Sequence, residues 1–259
     1  MQKYDINFKN RRVDISLIYK NVDGLNLPIH IYLPDEDIHN AQPILLIHGG
    51  GWTDAIQDNT EWNGGGLANN ARFFAEHGFI AITISYRSLL VSDELNVQDI
   101  LEDCTDAIEF IKSHFDFVNF ENIVYIGESA GGYIAAMLGL SQNDNIRPKY
   151  AVCLNPVLDS LDGKWNYGFK NCKDISKWTP KNIIEHKCAE FIFVHGVKDT
   201  VVGIEQTQVL HNLLLKSNHI SKMIKLPNAQ HAFSLYDYIS TDEEVTKIMK
   251  NIIDFINGY

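Results

Sequence analysis

The chain has 259 residues, of which 22 are basic and 33 acidic, giving a formal net charge of −11 at pH 7. It has no basic patch, which argues against nucleic acids and anionic membranes as partners. The first residues lack the apolar core of a signal peptide, and no stretch approaches transmembrane length. We therefore expect a cytoplasmic protein without membrane insertion. The length predicts one domain over residues 1–259, and a homodimer stays open.

Strand-like and helix-like segments alternate along the chain. In chain order, the predicted elements are strands at 12–19, 27–33 and 43–47, a helix at 67–77, a strand at 79–86, a helix at 97–115, a strand at 123–126, a helix at 133–138, strands at 150–155 and 191–194, a helix at 203–217, a strand at 223–227 and a helix at 241–257. This alternation predicts the α/β class, with a mainly parallel, doubly wound sheet of about eight strands and helices on both faces.

The most informative segment is residues 126–132, which read I-G-E-S-A-G-G between an apolar strand pattern and a helical one. This is a G-x-S-x-G nucleophile elbow, in which Gly127 and Gly131 permit a turn too tight for a side chain. The turn holds the hydroxyl of Ser129 at the mouth of the sheet, at a helix N-terminus. Glu128 occupies the variable position of the motif.

A serine nucleophile needs a base, and the base needs an acid, in the chain order Ser, Asp, His. Asp199 lies in the loop after the predicted strand 191–194, and His231 lies in the loop after the strand 223–227. Open α/β sheets place their sites at these carboxyl ends of strands. The sequence therefore predicts Ser129, His231 and Asp199 as a catalytic triad.

Two other histidines end predicted strands beside a glycine. His48 opens a glycine-rich loop, so a hydrogen bond that fixes this loop is its expected role. His195 precedes Asp199 on the same loop and is too close in sequence to bridge Asp199 and Ser129. We interpret both histidines as structural.

The glycine-rich loop follows the predicted strand 43–47 and reads H-G-G-G-W at residues 48–52. Successive glycines leave backbone N–H groups uncovered, as an oxyanion hole requires. The predicted donors are the N–H groups of Gly50, Gly51 and Ala130, the residue after the nucleophile.

Four motifs occur together in this order, at residues 48–52, 127–132, 195–199 and 228–233. Over nearly the whole chain they resemble the α/β-hydrolase fold, and within it the HGGG-containing carboxylesterases of the hormone-sensitive-lipase and carbohydrate-esterase type. The resemblance implies hydrolysis of carboxylic esters of small acids without a metal or an organic cofactor. The chain departs from these relatives at Gly203, where a proline is usual, and residues 1–20 are expected to be too short for their N-terminal helical cap.

The substrate pocket is expected to depend on two irregular segments, residues 53–66 and 158–186. The second is rich in aromatic residues and is interpreted as a small, reduced lid, with Trp165 lining the pocket. Trp52 either forms a wall of the acyl site or anchors the glycine loop. With Glu128, these two tryptophans are the predicted substrate-binding residues.

The favoured hypothesis is a serine esterase that acts on a small-molecule ester with a short acyl group, including acetyl groups on sugars, through an acyl-enzyme. One alternative is an arylformamide amidase that resembles kynurenine formamidase. A less favoured alternative is an inactive ligand-binding protein on the same fold.

Overall fold

The computed structural model describes residues 7–22, 24–35, 38–53, 66–159 and 163–258. The strands are β1 Ile15–Val22, β2 Leu25–Tyr32, β3 Pro43–Ile47, β4 Ile80–Ile84, β5 Val124–Glu128, β6 Tyr150–Leu154, β7 Glu190–Gly196 and β8 Ser221–Leu226. The α-helices are α1 Ala68–Glu76, α2 Val97–His114, α3 Ala130–Gly139, α4 Ile204–Lys216 and α5 Asp242–Ile256. Most of the expected loop at residues 53–66 lies outside the described residues.

All eight of these strands form one sheet in the order β1-β2-β4-β3-β5-β6-β7-β8. The pairs β1–β2 and β2–β4 are antiparallel, and the other neighbours are parallel. The four central strands are buried along their whole length, as continuous apolar runs predict for a sheet covered on both faces. The prediction of a mainly parallel sheet of about eight strands is confirmed.

Helices cover both faces of the sheet. One apolar core joins the sheet to α2, α3 and α4, and a second joins its other face to α1 and α5. Capping boxes fix the start of two helices, with Asn96 and Asp99 closing the first turn of α2 and Thr241 and Glu244 that of α5. No helix within the described ranges is both long and apolar enough to cross a membrane.

The register of the parallel strands brings the predicted site loops to one edge. Ile47 at the end of β3 pairs with Gly127 near the end of β5, and Gly196 at the end of β7 pairs with Leu226 at the end of β8. The glycine loop, the elbow and the loops that carry Asp199 and His231 therefore leave the sheet at the same carboxyl edge.

A buried ion network ties the antiparallel edge of the sheet to α2. The carboxylate of Asp103 is fully buried and accepts hydrogen bonds from Lys20 Nζ and Arg87 Nε, both at 2.8 Å, and from the Arg87 backbone N–H at 3.0 Å. Lys20 also contacts Asp106, and Arg87 lies just after β4. The network therefore fixes α2 against both β1 and β4.

Asp103→Ala should lower the free energy of unfolding by about 3 kcal/mol, because it leaves two partly buried cations without their central anion. Urea denaturation followed by circular dichroism measures this change. Glu102→Ala alters the exposed neighbour on the same helix and should stay within about 0.5 kcal/mol of the wild type. Equal stability of the two variants would contradict a stabilising role for the network.

Candidate active site

Ser129 occupies the turn between β5 and α3 in a strained backbone conformation, with φ 53° and ψ −113°. The turn is closed by glycines on both sides. A Cβ at Gly127 would lie 2.0 Å from the carbonyl oxygen of Gly131, and a Cβ at Gly131 would lie 2.1 Å from that of Ile47. Only glycine fits at these two positions, and the packing holds Ser129 at the carboxyl edge of the sheet.

The structure brings the three predicted triad side chains into one hydrogen-bonded series. His231 Nε2 lies 2.9 Å from Ser129 Oγ, and His231 Nδ1 lies 2.7 Å from Asp199 Oδ2. Because a carboxylate accepts, Nδ1 of His231 carries the proton and Nε2 is left to accept the hydrogen bond of the Ser129 hydroxyl. This arrangement suits proton transfer from serine to histidine.

The carboxylate of Asp199 is fully buried and surrounded by donors. Its Oδ1 accepts from the backbone N–H groups of Val201 and Val202, both at 2.9 Å. Burial by itself raises the pKa of Asp199, but hydrogen bonds from His195, His231 and Val202 outweigh it and hold this pKa well below its usual range. Asp199 is therefore ionised throughout the neutral and mildly acidic range.

His195 supports the acid rather than the serine. Its Nε2 lies 3.3 Å from Asp199 Oδ2 and 3.1 Å from the carbonyl oxygen of Val202, and both of these atoms accept hydrogen bonds. Its Nδ1 lies 2.8 Å from the hydroxyl of Thr207 on α4. His195 therefore connects the acid loop to α4, in agreement with its interpretation as structural.

Two carbonyl anchors orient the glycine loop. The carbonyl oxygen of Gly49 accepts from the hydroxyl of Tyr86 at 3.1 Å, and that of Gly50 accepts from the N–H and hydroxyl of Thr53 at 3.0 and 3.1 Å. Since these peptide bonds are trans, the N–H groups of Gly50 and Gly51 point away from their anchored carbonyls. The hydrogen bonds thereby fix the direction of both N–H groups.

The third predicted donor belongs to the elbow. Ala130 is the first residue of α3, so its N–H has no acceptor within the helix. Gly50 and Gly51 line the same cavity as Ser129. The predicted donors therefore lie on the two backbone segments next to Ser129, the glycine loop and the first turn of α3, whose N-terminus carries a partial positive charge.

Trp52 lies beneath the glycine loop. It is fully buried, and its indole N–H donates to the carbonyl oxygen of Ala130 at 3.1 Å. Its ring meets those of Tyr133, Trp165 and Phe169 edge to face. Of the two roles expected for Trp52, these contacts favour the anchor of the glycine loop, and Trp52 is not among the described residues that line the cavity above Ser129.

A cavity of about 380 Å³ opens above Ser129. Trp165 and Glu128, the other two predicted substrate-binding residues, lie in its wall. The described residues that line it are Gly50, Gly51, Glu128, Ser129, Trp165, Val201, His231, Ala232, Leu235 and Tyr238. Sequence reasoning missed Val201, Leu235 and Tyr238, although they follow Asp199 and His231 on the predicted loops and could have been suspected from that proximity.

The expected lid segment, residues 158–186, contains three short 3-10 helices at Asn166–Phe169, Ile175–Trp178 and Pro180–Asn182. Its residues 160–162 lie outside the described part. The hydroxyl of Tyr167 donates to the carbonyl oxygen of Gly51 at 2.5 Å. The segment therefore supports the glycine loop directly, through a contact between residues far apart in the chain that no sequence pattern indicated.

Gly131→Ala should lower the free energy of unfolding by about 1–3 kcal/mol, because the added methyl group forces α3 away from the end of β3. Thermal unfolding followed by circular dichroism measures the change. Gly163→Ala is the matched control, since no described residue beyond its chain neighbours has an atom within 4 Å of a Cβ at that position. An unchanged melting temperature for Gly131→Ala would contradict the close approach of β3 and α3.

The fold has close counterparts among solved structures. Esterase 2 of Thermogutta terrifontis superposes with a TM-score of 0.78 over 95% of each chain, at 20% sequence identity. A likeness at this identity establishes the shared fold. The serine, histidine and glycine-loop geometry described above occupies this fold at the expected edge of the sheet.

Sequence relatives extend the comparison. A putative α/β hydrolase of Acanthamoeba polyphaga mimivirus is 26% identical over 60% of this chain, which spans 44% of that protein's length. Kynurenine formamidase of Meyerozyma guilliermondii is 23% identical over 87% of this chain and 88% of its own length. The BD-FAE family matches residues 29–168, which include the glycine loop, the elbow and Trp165. The chain therefore belongs to the BD-FAE family and has the α/β-hydrolase fold.

Proposed function

We propose that this protein is a serine hydrolase that cleaves carboxylic esters with short acyl groups. The observation that carries the proposal is the series Ser129–His231–Asp199, with contacts of 2.9 and 2.7 Å, at the floor of an open cavity. Family membership supports it, as does the fold shared with an esterase whose structures include propionate-bound and butyrate-bound forms.

In the first step, His231 Nε2 takes the proton of Ser129 while Oγ attacks the ester carbonyl. The carbonyl oxygen becomes an oxyanion, stabilised by the N–H groups of Gly50, Gly51 and Ala130. Each such donor is typically worth about 3 kcal/mol of transition-state stabilisation. His231 then gives its proton to the leaving alcohol, and an acyl-serine remains.

In the second step, a water molecule replaces the alcohol. His231 takes a proton from the water, which attacks the acyl-serine, and the acid is released as the proton returns to Ser129. Asp199 stays ionised throughout and stabilises the positive charge that forms on His231 twice in each cycle. These steps use only groups of the chain and one water molecule.

The preference for short acyl groups rests on the cavity. A volume of about 380 Å³ is near the lower end of the range for small-molecule sites, and Trp165, Leu235 and Tyr238 bound it. Such a site accommodates acetyl to butyryl groups, including acetyl groups on a sugar. The substrate is accordingly a small molecule.

An aryl formamide would react with the same serine by the same steps, and one relative is named Kynurenine formamidase. This alternative is less favoured, because structures of an esterase superpose over nearly the whole chain. The complete hydrogen-bonded series also argues against an inactive binding protein on this fold.

Ser129→Ala and His231→Ala should each lower kcat on 4-nitrophenyl acetate by at least about a thousandfold, because the members of such a series act as one unit. Initial rates on aryl esters from acetyl to decanoyl measure this effect and should fall as the chain lengthens. N-formylkynurenine and an acetylated sugar complete the panel. His219→Ala changes a partly exposed imidazole that contacts the carbonyl oxygen of Glu185, and it should leave the rates unchanged.

Three results would count against the proposal. Near-wild-type turnover in Ser129→Ala would show that Ser129 is not the nucleophile. Faster cleavage of the formamide than of any ester would favour the amidase function. The absence of all serine-dependent turnover would favour a binding protein. As an independent check, paraoxon, which phosphorylates Thermogutta terrifontis esterase 2, should add one phosphoryl group to the wild type and none to Ser129→Ala.

The pH dependence of kcat/KM should show a single acid limb, on which activity is lost as the pH falls. Only neutral His231 can accept the proton of Ser129, so protonation abolishes attack. Asp199 adds no second limb there, because its pKa is held well below the usual carboxyl range. A rate that is flat from pH 5 to 8 would contradict His231 as the base.

A further inference from the structure

A second carboxylate, that of Glu128, is held beside the nucleophile. Glu128 is the last residue of β5, is 4% exposed, and accepts a hydrogen bond from the side-chain amide of Asn155 at 2.8 Å through Oε1. Its Oε2 occupies space left by Gly49, where a Cβ would lie only 2.1 Å away. These neighbours fix the carboxylate in one position.

This carboxylate lies on the substrate side of the imidazole. Glu128 Oε1 is 4.0 Å from His231 Nε2, the nitrogen that contacts Ser129, whereas Asp199 binds Nδ1 on the opposite side of the ring. Glu128 also belongs to the cavity wall, and the carboxylate of Asp199 is fully buried behind the ring. Of the two acids, Glu128 is therefore the one that an incoming substrate meets.

Among the described residues, the rest of the cavity wall has no cationic side chain that could bind an anion. Its other side chains are apolar or aromatic, apart from Ser129 and His231, and the described lining residues include neither lysine nor arginine. Trp165, Val201 and Leu235 make part of the wall apolar, so that charge interactions across the cavity are screened less than in bulk water. A substrate carboxylate close to the ester would face the like charge of Glu128 without a cation to bind.

We infer that Glu128 is a specificity-determining residue that restricts the enzyme to esters without a negative charge near the scissile bond. The inference rests on the proposed esterase function and narrows its substrate class to electrically neutral esters. It assigns to the variable position of the elbow a role that neither the triad nor the oxyanion donors fulfil.

The test compares two esters that differ in charge and little in shape. Mono(4-nitrophenyl) succinate carries a carboxylate, and 4-nitrophenyl 4-oxopentanoate carries an acetyl group in its place, with the same leaving group. The measured quantity is the kcat/KM for the neutral ester divided by the kcat/KM for the anionic ester. We expect this ratio to be at least about tenfold lower in Glu128→Gln than in the wild type, because the variant removes the unfavourable contact between like charges. Hydrolysis without enzyme is subtracted for each ester.

Two further variants separate charge from shape. Glu128→Asp keeps the charge on a shorter side chain, so its ratio should stay within about threefold of the wild-type value, although the contact with Asn155 is altered. Glu121→Gln removes an exposed carboxylate at the opposite end of β5 and should leave both the rates and their ratio unchanged. Melting temperatures confirm that each variant is folded.

A ratio that is the same in the wild type and Glu128→Gln, or that falls equally in Glu128→Gln and Glu128→Asp, would overturn the inference and leave the esterase proposal intact. The wild type alone gives a second criterion, independent of the folding of any variant. Its ratio should exceed that of hydroxide-catalysed hydrolysis of the same two esters by at least about tenfold, and equality would also overturn the inference. Failure of the wild type to hydrolyse the neutral ester would instead refute the proposed function.

Discussion

The site depends on the close approach of the end of β3 to the start of α3. Backbone carbonyl oxygens of Ile47 and His48 lie where a side chain at Gly131 would stand. This contact brings the glycine loop, which continues β3, next to Ser129, which precedes α3. One backbone contact thus positions the serine and two of its three proposed oxyanion donors. Gly131 is required there because a side chain would collide with the carbonyl oxygens of Ile47 and His48.

Aromatic side chains then hold the glycine loop in its position beside Ser129. The indole of Trp52 joins the loop to Ala130, the hydroxyl of Tyr86 fixes the carbonyl of Gly49, and the hydroxyl of Tyr167 fixes that of Gly51. Because Trp52 packs edge to face on the neighbouring rings, its hydrogen bond is kept in a dry environment. The segment 158–186 therefore supports the proposed oxyanion donors through Tyr167 and shapes the cavity through Trp165.

The strands of the central sheet could be predicted from the sequence, because they are continuous apolar runs separated by helical patterns. It was less accurate at the first strand, which lies at Ile15–Val22 and pairs through a turn at Gly24, where φ is 80°. The expectation of residues 12–19 failed there because a partly exposed edge strand carries no continuous apolar run to mark its ends. The grouping of Ser129, Asp199 and His231 could be predicted, since parallel strands bring their following loops to one edge.

Side-chain direction within the site could not be predicted in the same way. The places of Trp52, below the loop, and of Glu128, beside the imidazole, depend on contacts between segments far apart in sequence. Glu128 has its position because Gly49 leaves room for one oxygen and Asn155 binds the other. A local sequence pattern cannot predict an arrangement that depends on three segments meeting in the folded chain.

The two acids around His231 act from opposite sides of the ring and in different surroundings. Asp199 is enclosed by backbone and histidine N–H groups, which satisfy its charge and remove it from contact with substrate. Glu128 stands on the open side, in the cavity wall. A substitution of Asp199 changes the hydrogen bonding of His231, the proposed base. A substitution of Glu128 changes the electrostatic potential in the cavity, while Ser129, His231 and Asp199 all remain in place. The fold thereby separates the machinery of proton transfer from the selection of substrate charge, with both arranged around a single imidazole.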